Sequence, residues 1–365
     1  MIDPTPQPID FKVVKKHKLA IIGFGRLAQR YYVPALRSIG MAEIVAVADP
    51  LAASRAAAEA VFSQAHTYST YHELLEHSAL DGILVASPPS THLAVWNEAA
   101  RRGVPTFMEK PFVLWGELDS VERSPKACQL LMPNFNRRFW PPYQMLRELC
   151  LSRRIGTVER ADFILRVNLR PWNSVTRHRL SQGEGGALYD LGSSQLDLIQ
   201  YVLGERIVTL QAQMESLRSP NDQVHLIAEL KGRLRVRCEL GYAKRNCESV
   251  AIVGNRASVW LNNPNARVHL RERGSRSSLS EWLGDALAIG YRALRRERSM
   301  LRYTVRASLA EFLRALSRGQ PFAPNLDDAI ENAICLEAAM GSAREAKYIE
   351  VRRKESVTHV CHEPA

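Results

Sequence analysis

No stretch of about 18 consecutive apolar residues occurs in the 365-residue sequence, so no membrane-spanning helix is expected. The first residues, MIDPTPQPIDFKVVKKHK, lack the apolar core of a secretory signal and read as a loose tail over 1–17. None of the six cysteines (Cys128, Cys150, Cys238, Cys247, Cys335, Cys361) belongs to a C-x-x-C pair, and no cluster at metal-ligand spacing surrounds them. The expectation is free thiols in a reducing, cytoplasmic compartment and no metal site. Aromatic residues make up only 7% of the chain, and no aromatic-interleaved nucleic-acid motif accompanies the charge. The net charge of +11 therefore comes without a nucleic-acid signature such as a helix-turn-helix or zinc finger. Much of the excess falls late, at Arg267, Arg271, Arg273, Arg276, Arg292, Arg295, Arg296, Arg298, Arg302 and Arg306. Such a surface attracts anions, but a solvated arginine-rich face is the plainer reading. Nucleic acid and membrane are not expected partners; a small-molecule substrate is.

With 46% hydrophobic and 24% charged residues, the chain has the makeup of a globular protein and the length for two domains. Residues 18–25, KLAIIGFG, form a short apolar run ending in glycine, as a buried parallel strand does. Gly23-Phe24-Gly25-Arg26-Leu27-Ala28 follows as G-x-G-x-x-A, then an amphipathic stretch to about residue 39. In that motif the first glycine makes a tight turn, the second lets the backbone approach a pyrophosphate, and the small sixth residue packs helix on strand. The helix start then offers free N–H groups to phosphate. The motif alone is weak; strand before and helix after are the context that gives it meaning.

A second strand, EIVAVA, ends at Asp49, 24 residues beyond Gly25. An acid there accepts hydrogen bonds from an adenosine ribose and tilts the choice towards NAD over NADP, although Arg55 could meet a 2′-phosphate. Alternation then continues through helices over 54–62 and 71–77, a strand over 82–86, a helix over 93–102 and a strand over 106–108. Ser87-Pro88-Pro89-Ser90-Thr91-His92 and Glu109-Lys110-Pro111 both fall at carboxyl ends of strands, where open parallel sheets bind ligands. Ser87, Pro88, His92, Glu109 and Lys110 thereby join Gly23, Phe24, Gly25, Arg26, Leu27 and Asp49 as candidate cofactor-binding residues. His92 reads as a structural neighbour of the cofactor.

From about residue 161 the pattern changes to polar–apolar alternation in successive segments, the mark of an antiparallel sheet with one buried face. Residues 185–203 read as a helix covering it, with Gly185-Gly186 allowing a tight start. The fold class expected is α/β: a Rossmann domain over 18–133, an α+β domain with a large, mostly antiparallel sheet over 134–352, and a tail over 353–365.

These residues, in this order, resemble the Gfo/Idh/MocA family of oxidoreductases, named for glucose-fructose oxidoreductase and inositol dehydrogenase. The likeness runs from about Lys18 to Glu350 and includes the glycine loop, Asp49, SPPSTH, EKP, Asn134-Phe135-Asn136-Arg137-Arg138-Phe139, Ile155-Gly156-Thr157-Val158 and Gly185–Asp197. It implies hydride transfer between NAD or NADP and a carbon bearing oxygen, usually in a sugar or cyclitol. It assigns acid/base chemistry to Lys110 and substrate positioning to Asp190. By analogy it also implies a homo-oligomer built through the open face of the second sheet.

One departure stands out. The family pattern D-x-G-x-H-x-x-D reads D-L-G-S-S-Q-L-D here, so Ser194 occupies the usual histidine position. A serine hydroxyl does not titrate near neutral pH and cannot exchange the proton unaided. Lys110 could act alone with Ser194 hydrogen-bonding, Tyr189 or His178 could assist, or the substrate could be an imine. Asn136, Arg138, Trp172, His178 and Asp190 are the candidate substrate-binding residues, and Lys110, Asp190 and Ser194 the candidate catalytic set. A non-catalytic NAD(P)-binding regulator is the reading from another class; retention of Lys110 and Asp190 argues against it.

Overall fold

The computed structural model describes residues 16–77, 79–170, 186–262, 268–274 and 299–353. The first half forms six strands: β1 (His17–Ile22), β2 (Ala42–Ala48), β3 (His66–Tyr68), β4 (Gly82–Val85), β5 (Thr106–Met108) and β6 (Leu131–Pro133). They pair in the order β3-β2-β1-β4-β5-β6, all parallel. Strand order reverses direction between β1 and β4, the crevice where a doubly wound sheet takes its ligand. Leu19, Ala20 and Ile21 in β1 and Ile83, Leu84 and Val85 in β4 are fully buried, because both sheet faces carry helices. Those helices are α1 (Val33–Ile39), α2 (Ala52–Val61), α3 (Tyr71–His77) and α4 (His92–Arg102). The helix after the glycine loop widens to an i→i+5 turn over Ala28–Tyr32 before α1 begins. Pro34, which has no N–H to give a carbonyl one turn back, lies at the second position of α1.

After α5 (Pro141–Leu151) the chain builds a second sheet from β7 (Val158–Val167), β8 (Ile207–Glu215), β9 (Gln223–Leu230), β10 (Arg235–Tyr242), β11 (Cys247–Gly254), β12 (Ala257–Asn262), β13 (Val268–Glu272) and β14 (Ile349–Glu350). Its order is β13-β12-β11-β7-β10-β9-β8-β14, antiparallel except between β7 and β10. Burial alternates along β11, with Glu248, Val250 and Ile252 inside and Ser249, Ala251 and Val253 half-covered. The inner face packs with α6 (Ser193–Leu203) and α8 (Leu326–Glu345). The outer face carries cross-strand ion pairs such as Arg237–Asp162 and Arg166–Glu239.

The fold class is the one expected, with three differences of detail. The helix expected to run unbroken from residue 185 begins as a widened turn at Leu188–Gly192 and becomes α6 only at Ser193. Helix α7 (Met300–Arg318), late in the chain, packs on the first sheet: Val305, Leu309, Phe312 and Leu313 share a core with Leu19, Ile21, Leu84 and Phe107. Cys150, Cys238, Cys247 and Cys335 are free as expected, but Cys128 is disulfide-bonded. Sequence spacing carries no sign of that bond, because a disulfide depends on Cα separation in space. No described helix is long and apolar enough to cross a membrane.

Candidate active site

The glycine loop is shaped by a close approach and an opening. Gly23 has φ of +88°, and a Cβ there would lie 2.6 Å from the Ser87 nitrogen and 2.7 Å from its Cα. Only glycine allows β1 and the loop after β4 to meet so tightly. A Cβ on Gly25, by contrast, would meet nothing within 4 Å. That open side is where the motif requires space for a pyrophosphate. Phe24 turns its ring inward, edge-on to Phe62, and its backbone N–H donates to Asp49 Oδ2 at 2.8 Å. The Leu51 N–H donates to Asp49 Oδ1 at 2.9 Å, so the acid ties the glycine loop to the end of β2. Each carboxylate oxygen retains a second lone pair for a ribose hydroxyl. The Arg55 guanidinium is engaged by the carbonyls of Asp49 and Pro50, at 2.9 and 3.0 Å. Arg26 and Leu27 sit half-buried at the start of the helix. The open side of Gly25 and the Asp49 carboxylate at the end of β2 thus fit a dinucleotide.

From this loop a continuous set of contacts leads to the chemistry. Ser87 bonds Thr91 through their hydroxyls at 2.6 Å, and Pro88 is exposed beside it. His92 is fully buried; its Nε2 faces the Ser87 carbonyl at 3.0 Å and its Nδ1 the Pro111 carbonyl at 2.8 Å. The ring therefore holds the two strand-end loops together. Glu109 does not turn towards Lys110: its Oε1 accepts from Tyr32 Oη and Asn134 Nδ2, both at 2.7 Å. Burial, then the charge of Glu109, pushes the Tyr32 hydroxyl well above the usual range, which keeps it a donor.

Lys110, at the end of β5, reaches across to the second domain. Its Nζ donates to the backbone carbonyl of Asp190 at 2.5 Å and lies 3.5 Å from Asp190 Oδ1. Asp190 sits inside the widened turn Leu188–Gly192, a local irregularity of the kind concentrated at functional sites. Gly186 anchors that turn: with φ of +83°, a Cβ would approach Asn221 Cβ to 2.9 Å. Tyr242, the last residue of β10, donates its hydroxyl to Asp190 Oδ2 at 3.4 Å. Ser194, almost fully buried, lies in the first turn of α6, just beyond Asp190. Tyr189 points away, towards Trp115, Glu337 and Arg344, and burial pushes its hydroxyl up to about 12.

The turn Asn136–Phe139 spreads three successive side chains into three elements. Asn136 Nδ2 donates to Thr304 of α7 at 3.1 Å. Arg137 pairs with Glu248 of β11, which also accepts from Tyr143. Arg138 grips Asp197 of α6 with Nε at 3.0 Å and Nη2 at 2.5 Å, and reaches Asp328 of α8 at 2.8 Å. Burial opposes the charge of Arg138, but the two carboxylates outweigh it and hold the guanidinium firmly protonated. Asp197 is raised to about 6, by burial first and against the pull of Arg138. Arg137 is lowered by burial, offset by Tyr143 and Asp190.

The structure thus brings together Gly23, Gly25, Asp49, Ser87, His92, Lys110 and Asp190 along one path, with Ser194 beside it. It commits Asn136 and Arg138 to bonds between elements and turns Glu109 towards Tyr32. Trp172 and His178 lie outside the described residues. Sequence reading gave no individual role to Asn134, Arg137, Asp197, Tyr242 or Glu248. Asn134, Arg137 and Asp197 stood inside quoted motifs; Tyr242 and Glu248 are ordinary alternating strand residues until the sheet is assembled. Among the described residues no group of His, Cys, Asp and Glu could hold a metal ion.

Comparison with known proteins bears on the same two halves. Residues 17–131 match the GFO_IDH_MocA model, described as an oxidoreductase family with an NAD-binding Rossmann fold. Residues 143–260 match the GFO/IDH/MocA C-terminal domain. The chain is similar to the inositol 2-dehydrogenase of Rhizobium meliloti strain 1021, 26% identical over 92% of this chain and 99% of that one. It is also similar to the rhizopine catabolism protein MocA of Rhizobium meliloti, 28% identical over 59% of this chain and 68% of that one. Its fold matches scyllo-inositol dehydrogenase from Lactobacillus casei, solved with NAD(H) and scyllo-inositol, at a TM-score of 0.72 and 16% identity, covering 92% of this chain and 99% of that one.

Proposed function

The chain belongs to the Gfo/Idh/MocA family of NAD-binding oxidoreductases, and from that premise we propose that it is a dehydrogenase of cyclitols or sugars in which Lys110 moves the proton. The observation that carries this reading is the Lys110 Nζ held against both the carbonyl and the carboxylate of Asp190. When bound, the nicotinamide supplies the centre that exchanges a hydride with the substrate carbon. Lys110 as the neutral amine takes the proton from the substrate hydroxyl, and as the ammonium returns it in the reverse direction. Asp190 orients that amine and offers its carboxylate to a neighbouring hydroxyl. Ser194 contributes a hydrogen bond but no titrating group. Asp49 favours NAD over NADP, because a 2′-phosphate would bring negative charge against its carboxylate.

Relatives named as inositol dehydrogenases support polyhydroxylated rings as the substrate class. Reduction of an imine is the second reading, favoured by the absence of a histidine at Ser194. Assembly through the outer face of the second sheet and a cytoplasmic setting belong to the same proposal.

The test is fluorescence titration with NADH and NADPH, followed by NAD+-dependent oxidation of myo-inositol, scyllo-inositol and a panel of aldoses. Tight NADH binding with turnover of one of these is expected. NADH binding with no turnover of any of them, but reduction of cyclic imines, would replace the cyclitol reading with the second one.

A further inference from the structure

The histidine missing at position 194 leaves a question that the second sheet answers. The carboxylate of Asp190 has two oxygens with different partners: Oδ1 faces Lys110 Nζ at 3.5 Å, and Oδ2 receives the Tyr242 hydroxyl at 3.4 Å. Separations of this length are loose for hydrogen bonds, and such contacts in ligand-free sites tighten when substrate is bound. We propose that Tyr242 is a positioning residue of the reaction, its hydroxyl fixing the Asp190 carboxylate and sharing its charge with Lys110.

The backbone of Tyr242 is built to hold that hydroxyl in place. Its N–H donates to the Asp222 carbonyl at 2.9 Å, and its own carbonyl accepts from Gln223 Nε2 at 3.0 Å. Gln223 can fold over this strand end because residue 241 is glycine: a Cβ there would fall 2.2 Å from Gln223 Oε1. Tyr242 also pairs with Val167 at the end of the parallel neighbour β7. The residue is 7% exposed, so its ring cannot swing into solvent without dismantling these contacts.

Among the described residues, the charged and titratable groups around the pair are few. Arg137 acts on Asp190 from the turn before α5, and is itself held by Glu248 of β11, which Tyr143 also contacts. Glu109, next to Lys110 in the chain, is turned to Tyr32 and Asn134. His92 is engaged between Ser87 and Pro111. An O–H donated to Asp190 draws off part of the negative charge that Lys110 would otherwise feel. Less charge facing Lys110 favours its neutral amine, the form that accepts the substrate proton. Removing the hydroxyl restores the full charge, favours the ammonium and moves the titration of Lys110 to higher pH. Tyr242 in this role tunes Lys110 through Asp190 and leaves the proton transfer itself to Lys110.

The proposal rests on Lys110 being the proton-transfer group, so its test is read at Lys110 without any substrate. The full-length protein and its Tyr242→Phe variant are treated with acetic anhydride across pH, and acetylation at Lys110 is scored by peptide mass spectrometry. The midpoint should rise by about half a unit or more in the variant, the scale of one lost hydrogen bond. In an Asp190→Asn background the same substitution should leave the midpoint where it was. An unchanged midpoint in Tyr242→Phe, or an equal rise in the Asp190→Asn background, overturns the proposal. A midpoint that moves as described in a protein that oxidises no cyclitol or sugar upholds the Tyr242 role and rejects the substrate reading. With an active substrate, the rising limb of the oxidation pH profile should shift by the same amount in Tyr242→Phe, whereas a general loss of packing would lower the rate without moving that limb.

Discussion

The two sheets are held together in opposite ways. In the first, every strand is parallel, both faces are covered and the buried residues 19–22 and 82–85 of the central strands carry no polar side chain, so each of them is constrained by helices on either side. In the second, one face is packed and the other carries charged pairs, so inward and outward residues alternate. The candidate cofactor residues lie at carboxyl ends of the first kind of sheet, each within a short motif after β1, β2, β4 or β5. Lys110 after one sheet, Asp190 before α6 and Tyr242 on the other sheet meet at the seam. In the proposed reaction, cofactor binding and proton transfer therefore draw on parts of the chain that can be damaged separately.

The sharpest way to break that separation is Lys110→Ala. Turnover should fall by about a thousandfold, the ordinary contribution of a positioned acid/base group, while NADH affinity measured by fluorescence stays within a factor of two. Parallel losses in both would mean that the halves are not independent. Phe312→Ala asks which sheet α7 serves. Phe312 is fully buried, against Phe107 and Phe322 at 5.6 and 5.0 Å between ring centroids. The substitution should cost about 3–5 kcal/mol of stability and lower NADH binding, as damage to the first core does. A loss confined to turnover, with melting and NADH binding intact, would assign the helix to the second half.

Asp197 tests the seam through pH. Its folded value of about 6 lies above that of an unfolded aspartate, so its contribution to stability is full below about pH 4 and is lost as pH rises through about 6. Urea melts from pH 4 to 8 should show wild type losing up to about 3 kcal/mol relative to Asp197→Asn across that window. Parallel curves would put the ionisation of Asp197 outside the window. The smallest effect is expected at the glycine loop. Gly25→Ala has room for its methyl group, so the melting temperature should hold while NADH affinity falls about tenfold. A drop in melting temperature would mean that the open side is needed for folding and not only for the dinucleotide.

Much of the first half was legible from local pattern. The G-x-G-x-x-A loop, the end of β2 at Asp49 and helix 71–77 are each decided within a few residues by turn geometry, strand burial and helix period. Strands β3 and β6 were not: three residues are too short to show a period, and unlike β5 neither runs into a motif such as Glu109-Lys110-Pro111. The alternating strands of the second sheet could be read, but not their order, nor the parallel β7–β10 pair that sets Tyr242 beside Val167. Glu109 shows the limit from the other side: next to Lys110 in sequence, it is turned to Tyr32, 77 residues earlier, because a buried hydroxyl and a buried carboxylate satisfy each other.

By itself the sequence determined the α/β plan of a parallel and an antiparallel sheet, the G-x-G-x-x-A loop and the lysine at the strand end, because each is a matter of residue type at short spacing. Tertiary structure decided the rest: that α7 returns to the first core, that Arg138 locks elements together, and that Asp190 lies between Lys110 and Tyr242. Those are contacts between segments from about 50 to more than 200 residues apart. No local propensity encodes such a meeting; it exists only once buried apolar faces have brought the segments together and each buried charge has found its partner.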